Sequence, residues 1–320
     1  MDDDKLIKKY FYKLSKNNPS SLYLNDDVFF DKKRELVIST DTYNEKIHYK
    51  NLNHPDLIIK KIIRSSISDL ICKGVKPKYI FISASINKFL AKHSNLILII
   101  NSLKKELKKY QILLSGGDTT FSKITSFTVT SVGFAKKIIQ RNETKLNDII
   151  YVTGNLGDAF TGLMLMNNKI KANKSETDYF KKKYFTPNLP FDLYKFIPKI
   201  ASSSMDVSDG LILDLERMMN RQKLNYKIHI DKVPISKKLK NLIKQNKFKK
   251  ENFISNGDDY QILFTSSPKN LNKIKKLASR IKIKITPIGK IIKEANLILN
   301  SNNENLIKSM KIKGYLHTFR

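Results

Sequence analysis

The stretch Gln-Ile-Leu-Leu-Ser-Gly-Gly-Asp-Thr-Thr, residues 111–120, joins a strand-like apolar run to a polar turn that contains two glycines and an aspartate. A short apolar run ended by glycines predicts a β-strand over 111–114. A helical pattern at 95–110 precedes it, and another strand pattern at 126–134 follows it. Because helices and strands interleave in this way, the chain is predicted to have an α/β or α+β fold.

The same interleaving extends over most of the chain. Apolar runs or period-two alternation predict further strands at 35–39, 78–86, 148–153, 225–230, 260–265 and 281–288. Residues 55–73 predict a helix that starts at Pro55 and stops before Gly74. Residues 210–220 predict another helix by the same period.

A polar, lysine-rich stretch at 136–147 divides the chain into two units. A chain of 320 residues with 41% hydrophobic content can bury sizeable cores, and its length favours two domains. We therefore expect domains at residues 1–136 and 148–320. The segment 168–200 is rich in Lys and Asn, and we expect it to be irregular or to be a helix-bearing insertion.

The sequence shows none of the features of a membrane or secreted protein. Its longest apolar run, 96–100, is far shorter than the roughly 18 residues that a membrane span needs. The acidic start, Asp2-Asp3-Asp4, lacks the basic region of a signal peptide. A single cysteine, Cys72, allows no internal disulfide and no multi-cysteine metal site. We therefore expect a cytoplasmic protein.

The formal net charge of +31 raises the question of nucleic-acid binding. Sixty Lys and Arg residues stand against 29 Asp and Glu, but only seven of the sixty are Arg, the residue whose forked guanidinium reads phosphates and bases. The lysines are also spread along the whole length rather than gathered into one patch. We therefore predict no specific nucleic-acid partner and no membrane partner.

Aspartates in short turn-like segments are the strongest functional signal, because acidic residues are scarce in this chain. They occur beside Gly, Ser, Thr and Asn in the segments 25–27, 39–42, 68–69, 116–119, 206–210 and 256–259. Magnesium takes oxygen ligands and usually completes its shell with water and substrate phosphates. Crowded carboxylates also need cations to offset their mutual repulsion. The pattern predicts a phosphate-handling site with several Mg²⁺ ions.

Individual positions in these segments support this interpretation. Asp41 directly follows the predicted strand 35–39, where open α/β sheets place ligands, and strand alternation puts Ser39 and Asp41 on one face. Ser208 or Asp209 can cap the helix that follows them, and the amino terminus of that helix attracts phosphate. The sequence has neither a Walker A motif nor a dinucleotide fingerprint, so the phosphates must be held differently.

The acidic segments occur in an order that closely resembles thiamine-monophosphate kinases. The resemblance rests on the motifs Asp26-Asp27, Ser39-Thr40-Asp41-Thr42, Ser68-Asp69-Leu70, Ser115-Gly116-Gly117-Asp118-Thr119-Thr120, Tyr151-Val152-Thr153-Gly154, Asp206-Val207-Ser208-Asp209-Gly210-Leu211, Asn256-Gly257-Asp258-Asp259-Tyr260 and Lys313-Gly314-Tyr315-Leu316-His317-Thr318-Phe319. That family belongs to the superfamily of aminoimidazole ribonucleotide synthetase. The resemblance implies a two-domain fold of that kind, with an amino-terminal α/β domain that dimerises, a carboxyl-terminal α/β domain, and ATP bound between them.

The resemblance also implies roles for single residues. The implied magnesium ligands are Asp27, Ser39, Thr40, Asp41, Asp69, Asp118, Asp206 and Asp209. The implied ATP-binding residues are Gly117, Asp118, Arg141 and Ser208. The implied residues for thiamine monophosphate are His48, Asp258 and Tyr315. No side chain is assigned as a catalytic acid or base, because metal ions and positioning would carry the transfer.

The implied reaction is direct in-line transfer of the γ-phosphoryl group of ATP to thiamine monophosphate, giving thiamine diphosphate and ADP, by a Mg²⁺-dependent homodimer. Because the attacking phosphate oxygen is already ionised at neutral pH, no strong general base is needed. Two alternatives are another ATP-dependent phosphotransfer enzyme of the same superfamily and a non-catalytic, basic nucleic-acid-binding protein. Selenophosphate synthetases have a reactive Cys or selenocysteine near the amino terminus, which this sequence lacks.

Overall fold

Two mixed β-sheets and the helices packed on them make up the protein, and the computed structural model describes residues 1–307 and 314–319. The strands are β1 Phe29–Asp31, β2 Leu36–Asn44, β3 Pro77–Ile86, β4 Leu113–Phe121, β5 Ser126–Phe134, β6 Ile149–Thr153, β7 Ser203–Asp206, β8 Asn225–His229, β9 Ile262–Ser266, β10 Ile285–Ile292 and β11 Leu297–Leu299. The α-helices are α1 Asp3–Leu6, α2 Pro55–Cys72, α3 His93–Tyr110, α4 Asp158–Met166, α5 Lys174–Phe185, α6 Leu211–Met218, α7 Lys237–Asn246, α8 Glu251–Ile254 and α9 Leu271–Ile281. A π-helix spans Ile7–Phe11, and 3₁₀ helices span Tyr12–Ser15, Pro19–Leu24, Phe191–Lys195, Ile197–Lys199, Ile230–Lys232 and Pro268–Asn270. In this described part of the chain, no helix is long and apolar enough to cross a membrane.

The first sheet, in the order β1-β2-β5-β3-β4, lies in the amino-terminal half. Neighbouring strands are antiparallel except for β3 and β4, which run parallel and are connected by α3. Helix α2 covers this sheet and packs Ile58, Ile62 and Ile67 into the same core as Val129 of β5. The sequence explains this placement, because apolar residues recur every three or four positions after Pro55.

The second sheet, in the order β11-β8-β10-β6-β9-β7, lies in the carboxyl-terminal half. Its neighbouring strands are antiparallel except for β11 and β8. Its core joins Ile150, Leu263 and Ile288 of the sheet to Leu211 and Leu215 of α6. The two sheets with their helices confirm the mixed α/β class that the interleaved sequence pattern predicts.

Helix α2 also lies against the second sheet, and this position brings the polar residues of both halves together. Ile58 and Ile62 of α2 share one hydrophobic core with Tyr151 of β6 and Phe264 of β9. At the carboxyl end of α2, Lys73 Nζ donates a hydrogen bond of 2.7 Å to the Ser204 carbonyl of β7. One helix therefore contacts strands of both sheets.

Two predicted turns are strands in the structure. Strand β2 continues through Asp41 to its end at Asn44, so Asp41 lies within an antiparallel strand and not beyond it. Strand β4 includes Gly116, Gly117 and Asp118, which pair with β3. A Cβ on Gly117 would lie 1.8 Å from the Ile82 carbonyl oxygen, so glycine is required by this close approach within the sheet. Strand pairing outweighs the local turn tendency of these residues.

The single cysteine is part of the core. Cys72 is fully buried at the end of α2, where its Sγ donates to the Asp69 carbonyl at 3.1 Å. Burial raises the pKa of the Cys72 thiol well above its usual range. The thiol is therefore a packed, unreactive group.

Candidate active site

Strand β2, helix α2 and strand β7 contribute to a group of four aspartates, here called the acidic cluster: Asp27, Asp41, Asp69 and Asp206. Ser39 of β2 donates its hydroxyl to Asp69 Oδ2 of α2 at 2.5 Å. Ser68, the residue before Asp69, donates its hydroxyl to the Asp206 carboxylate of β7. Serines on β2 and α2 therefore position carboxylates on α2 and β7.

Three members of the acidic cluster, Asp41, Asp69 and Asp206, have no ion-pair partner within the described residues, whereas Asp27 has two. Burial and the charges of Asp206 and Asp27 raise the pKa of Asp41 to about 8. Burial and the charge of Asp27 raise the pKa of Asp206 to about 7. Burial and the charge of Asp41 raise the pKa of Asp69 well above its usual range. These carboxylates therefore repel one another in a buried site.

Asp27 differs from the other three because two cations hold it. Lys73 Nζ lies 2.7 Å from Asp27 Oδ2 and 2.7 Å from Asp26 Oδ1. The Arg141 guanidinium donates to Asp27 Oδ1. Burial by itself raises the pKa of Asp27, but Arg141 and Lys73 together hold that pKa well below its usual range. Asp27 is therefore an ionised carboxylate with partners on both oxygens.

Oxygen donors and surplus charge make the acidic cluster suitable for hard divalent cations. Within residues 1–307 and 314–319, no three Asp, Glu, His or Cys side chains form a ready metal shell. Asp41 Oδ2 is nevertheless buried without a hydrogen-bond partner in the same residues, and a cation would stabilise the ionised form of such a carboxylate. Carboxylate and hydroxyl oxygens are also the ligands that Mg²⁺ prefers. The residues present therefore fit Mg²⁺ that draws further ligands from water and phosphate.

The loop between β7 and α6 carries Ser208 and Asp209. Arg217 of α6 donates to the Asp209 carboxylate. Neither Ser208 nor Asp209 caps α6, so the capping prediction was wrong. Asp214 in the first turn of the helix instead accepts from the backbone N–H groups of Asp209 at 3.1 Å and Gly210 at 2.9 Å. Asp214 therefore fixes the backbone of the loop, and the side chains of Ser208 and Asp209 line a neighbouring cavity.

That cavity, of about 310 Å³, lies between the acidic cluster and the turn 256–260. Its lining includes predicted site residues from both halves of the chain: Asp41, His48, Asp69, Asp206, Ser208, Asp209, Asp258 and Tyr315. Gly257 allows the two loops to meet, since a Cβ there would lie 1.6 Å from the Ser208 carbonyl oxygen. The backbone N–H of Asp258 donates to that same oxygen at 2.8 Å. The structure thus brings metal-site and acceptor-site predictions together around one space.

A buried lysine holds Asp258 in this cavity. Lys61 Nζ lies 2.9 Å from Asp258 Oδ1, 3.2 Å from the His48 carbonyl oxygen and 3.5 Å from the centre of the Tyr184 ring. Tyr260 donates its hydroxyl to Asp258 Oδ1 at 3.1 Å. Burial by itself lowers the pKa of Lys61, but Asp258 and Tyr184 raise that pKa overall. The ammonium therefore stays charged and fixes the direction of the carboxylate.

His48 lines the cavity as a neutral imidazole. Its Nδ1 accepts from the backbone N–H of Asn44 at 2.9 Å, which leaves Nε2 as the protonated nitrogen. Burial and the positive charge of Lys61 lower the pKa of His48 to about 4. The His48 ring packs against His317 with centroids 5.6 Å apart, and His317 packs against Tyr315 at 5.0 Å. Residues near the carboxyl end of the chain therefore form one wall of the cavity.

Gly117 and Asp118 lie apart from the acidic cluster within one chain. They belong to β4, which is the edge strand of the first sheet and is exposed along its whole length. In the strand register, Asp41 pairs with Val129, Val129 with Ile82, and Ile82 with Gly117. Three strand spacings, or about 14 Å, therefore separate Asp41 from Gly117.

The Thr40 side chain does not face the acidic cluster, and one residue of the terminal motif, Lys313, is not described. Thr40 directs its hydroxyl to the Thr130 hydroxyl at 3.1 Å, on the face of β2 opposite Ser39. Lys313 of the terminal motif lies outside the described residues. The neighbouring Tyr315 is described, and its backbone N–H donates to the Asp209 carbonyl at 2.9 Å.

Sequence reasoning missed the cations that hold the acidic side chains. These are Lys61 beside Asp258, Lys73 beside Asp27, and Arg217 beside Asp209. Among 60 Lys and Arg residues no single one stands out by composition. One signal was available, because Lys61 follows Ile58 by three positions and so lies on the apolar face of the predicted helix. A lysine at such a position is a candidate for a buried partner.

Comparison with known domain families assigns both halves of the chain. The AIR synthase related protein N-terminal domain matches residues 24–135, and the AIR synthase related protein C-terminal domain matches residues 145–301. These two matches agree with the two-domain synthetase-like fold that the sequence motifs imply.

Comparison with individual proteins covers nearly the full length. The thiamine-monophosphate kinase of Buchnera aphidicola subsp. Acyrthosiphon pisum is 33% identical, over 98% of this chain and 97% of its own. The solved structure of AaThiL complexed with AMPPCP and TMP is 25% identical with a TM-score of 0.84, over 99% of this chain and 97% of its own. That of a thiamine monophosphate kinase from Aquifex aeolicus has a TM-score of 0.79 at 25% identity, over 94% and 98%. This chain therefore belongs to the thiamine-monophosphate kinase family and has the two domains of an AIR synthase related protein.

Proposed function

We propose that this protein transfers the γ-phosphoryl group of ATP to thiamine monophosphate, giving thiamine diphosphate and ADP, at the cavity described above. The observation that carries the proposal is that buried carboxylates without ion-pair partners among the described residues line this cavity in a member of the thiamine-monophosphate kinase family. A structural relative was solved with AMPPCP, which is an ATP analogue, and TMP. Substrates of the same kind are therefore assigned to this cavity.

Magnesium held by the acidic cluster would neutralise phosphate charge and hold donor and acceptor phosphates in line. The proposed ligands are Asp27, Ser39, Thr40, Asp41, Asp69, Asp118, Asp206 and Asp209. Thr40 would contribute a backbone oxygen, because its hydroxyl is turned to Thr130. The hydroxyls of Ser39 and Ser68 keep the Asp69 and Asp206 carboxylates in place through their hydrogen bonds. Fixed carboxylates lower the reorganisation that the transfer requires, which is the main contribution a protein makes to phosphoryl transfer.

ATP is proposed to contact Gly117, Asp118, Arg141 and Ser208. Arg141 is anchored by its backbone N–H, which donates to Asp26 at 2.8 Å, and by its guanidinium contact with Asp27. Its Nε–H is buried and has no hydrogen-bond partner among the described residues. A buried guanidinium donor without a partner is suited to a phosphate oxygen. Arg141 can thus link the acidic cluster to the nucleotide.

Thiamine monophosphate is proposed to contact His48, Asp258 and Tyr315. The neutral His48 offers Nε2–H as a donor to the acceptor phosphate, because Nδ1 is occupied by Asn44. The carboxylate of Asp258 is held toward the cavity by Lys61. Since the attacking phosphate oxygen is ionised at neutral pH, these residues need to orient the acceptor rather than remove a proton from it.

We further propose a homodimer in which Asp118 of the partner subunit completes each site. Strand β4 has an open edge and exposes Leu113, Leu114 and Phe121, which is a surface that tends to be covered. Strand β1 pairs only with residues 36–38 of β2, so residues 39–44 pair on one side alone within the described residues. Pairing of β4 with 39–44 of a second copy would place its Asp118 beside Asp41.

Subunit mixing tests the shared site. Asp41→Asn and Asp118→Asn variants are purified separately and then mixed under conditions that exchange subunits. If each site draws Asp41 and Asp118 from different chains, half of the molecules are mixed dimers with one intact site, and about a quarter of wild-type activity returns. Recovery of no activity, with subunit exchange verified, would place both residues in one chain and refute the shared site.

The kinase activity is tested with the purified protein, ATP, Mg²⁺ and thiamine monophosphate, with thiamine diphosphate measured as the product. We expect product only when all three additions are present. The absence of product from folded protein would overturn the proposed function. Salt-sensitive RNA binding in such a sample would instead favour the alternative of a basic nucleic-acid-binding protein.

The domain division and the compartment also remain proposals. Residues 1–136 contain every strand of the first sheet and residues 148–320 every described strand of the second, which supports a boundary in the stretch 136–147. The use of ATP as phosphoryl donor supports the expected cytoplasmic location.

A further inference from the structure

We infer that the ammonium group of Lys73 is a permanent cation that takes the place of one divalent ion in the acidic cluster. This chain would then bind fewer metal ions than its carboxylates could accept. The inference rests on the proposed function, which makes the acidic cluster a magnesium site. It concerns which cations neutralise the carboxylates of the cluster.

The surroundings of Lys73 Nζ are those of a cation site. Lys73 follows the last residue of α2, and its side chain is fully buried. Its Nζ lies 2.7 Å from each of three oxygens: Asp26 Oδ1, Asp27 Oδ2 and the Ser204 carbonyl. The Ser204 carbonyl accepts a hydrogen bond from this ammonium, and the two carboxylates are its ion-pair partners. Two carboxylates and a backbone carbonyl are also a donor set that a hard divalent cation accepts.

The burial of the Lys73 ammonium is energetically acceptable only because its partners compensate for the lost hydration. Burying a lysine is costly unless charge-assisted hydrogen bonds offset the lost hydration. Asp26 and Asp27 supply the opposite charge, and Ser204 satisfies the third donor. Removing the ammonium would leave the side chains of Asp26 and Asp27 buried with one cation fewer, and Asp27 also interacts with Asp206. A divalent ion in the space left by the lysine head group would restore the balance.

The position also divides the cluster into two parts. On one side, Asp27 is bound by Lys73 and Arg141. On the other, Asp41 has a buried oxygen that no described residue contacts by a hydrogen bond. Fixed side-chain cations therefore offset part of the negative charge around Asp27, whereas Asp41 and its neighbours depend on exchangeable Mg²⁺ alone.

Counting bound Mn²⁺ tests this inference without relying on activity. Wild type and the variants Lys73→Ala, Lys73→Arg and Lys73→Met are compared by equilibrium dialysis with Mn²⁺ and the ATP analogue AMPPCP. Lys73→Ala removes the charge and leaves space, and we expect it to bind one additional Mn²⁺ per chain. Lys73→Arg keeps the charge and Lys73→Met fills the space, so neither is expected to gain an ion.

Each outcome decides for or against the inference. An unchanged Mn²⁺ count in folded Lys73→Ala overturns it. If Lys73→Ala is unfolded without metal, circular dichroism is followed during Mn²⁺ titration. Folding restored by Mn²⁺ in this variant but not in Lys73→Met supports the inference, and no restoration at millimolar Mn²⁺ refutes it. The kinase assay of the wild-type protein is a separate measurement. An additional Mn²⁺ bound by Lys73→Ala, together with no thiamine diphosphate formed by wild type, would support the inference and reject the proposed function.

Discussion

Replacing Lys61 by methionine is the most direct probe of how the acceptor side of the cavity is built. Lys61→Met keeps the length of the side chain and removes its charge. The side chain of Lys61 is 3% exposed and that of its partner Asp258 is 27% exposed. Removing one partner of a fully buried ion pair costs about 3–5 kcal/mol. Because water reaches part of Asp258, we expect a loss of about 2–3 kcal/mol in the free energy of unfolding.

The measurement is urea unfolding followed by circular dichroism, since the chain has no tryptophan. A double variant, Lys61→Met with Asp258→Asn, serves as the matched control because it leaves no unpaired buried charge. We expect the double variant to be more stable than Lys61→Met alone, with a non-additivity of about 1–2 kcal/mol. The KM for thiamine monophosphate should rise in Lys61→Met, because Asp258 loses its fixed direction. A loss below about 0.5 kcal/mol, or strictly additive losses, would refute the reasoning.

Three further predictions follow from neighbouring residues. The pKa of His48 is about 4 against an ordinary 6.5, so the unfolded state binds more protons between these values and stability falls as the pH decreases through this window. Between pH 7 and pH 5, His48→Gln should lose about 2 kcal/mol less stability than wild type in urea titrations, and equal losses would contradict this. Gly257→Ala places a Cβ 1.6 Å from the Ser208 carbonyl oxygen. It should destabilise the protein by about 2–4 kcal/mol in thermal unfolding. An unchanged melting temperature would show that the two loops separate easily. Asp209→Asn should lower turnover about 10²- to 10³-fold with an unchanged circular dichroism spectrum. The exposed control variant Asp192→Asn should keep wild-type turnover. A wild-type rate in Asp209→Asn would refute the assignment of Asp209 as a metal ligand.

Much of the fold could be predicted because its elements carry strong local patterns. The helix predicted over 55–73 is observed at Pro55–Cys72, and the strand predicted over 126–134 is observed at Ser126–Phe134. Short strands without such a pattern were missed, as Phe29–Asp31 and Ser203–Asp206 show. Their position is decided by pairing with distant residues, and a local window contains no information about that pairing.

The acidic residues of the site were easier to predict than their arrangement. Asp41, Asp69 and Asp206 meet because α2 packs between two sheets, and the ordered motifs marked all three. Asp118 carries an equally clear motif, but it lies on the far edge of its sheet. This position could not be predicted, because local sequence does not encode the order of strands in a sheet. The partner of Lys73 could not be predicted, since Asp26 is 47 positions earlier and their contact depends on tertiary packing.

The buried position of Cys72 makes the protein convenient for spectroscopy. It is the only thiol in the sequence, and it is enclosed in the core with a raised pKa, so maleimide reagents should leave it unmodified in the folded protein. A cysteine introduced at an exposed position away from β4, such as Ser279 of α9, would then be the single labelled site on each chain. A pair of spin labels placed there would report the distance between two copies in solution, with no need to remove the natural cysteine first.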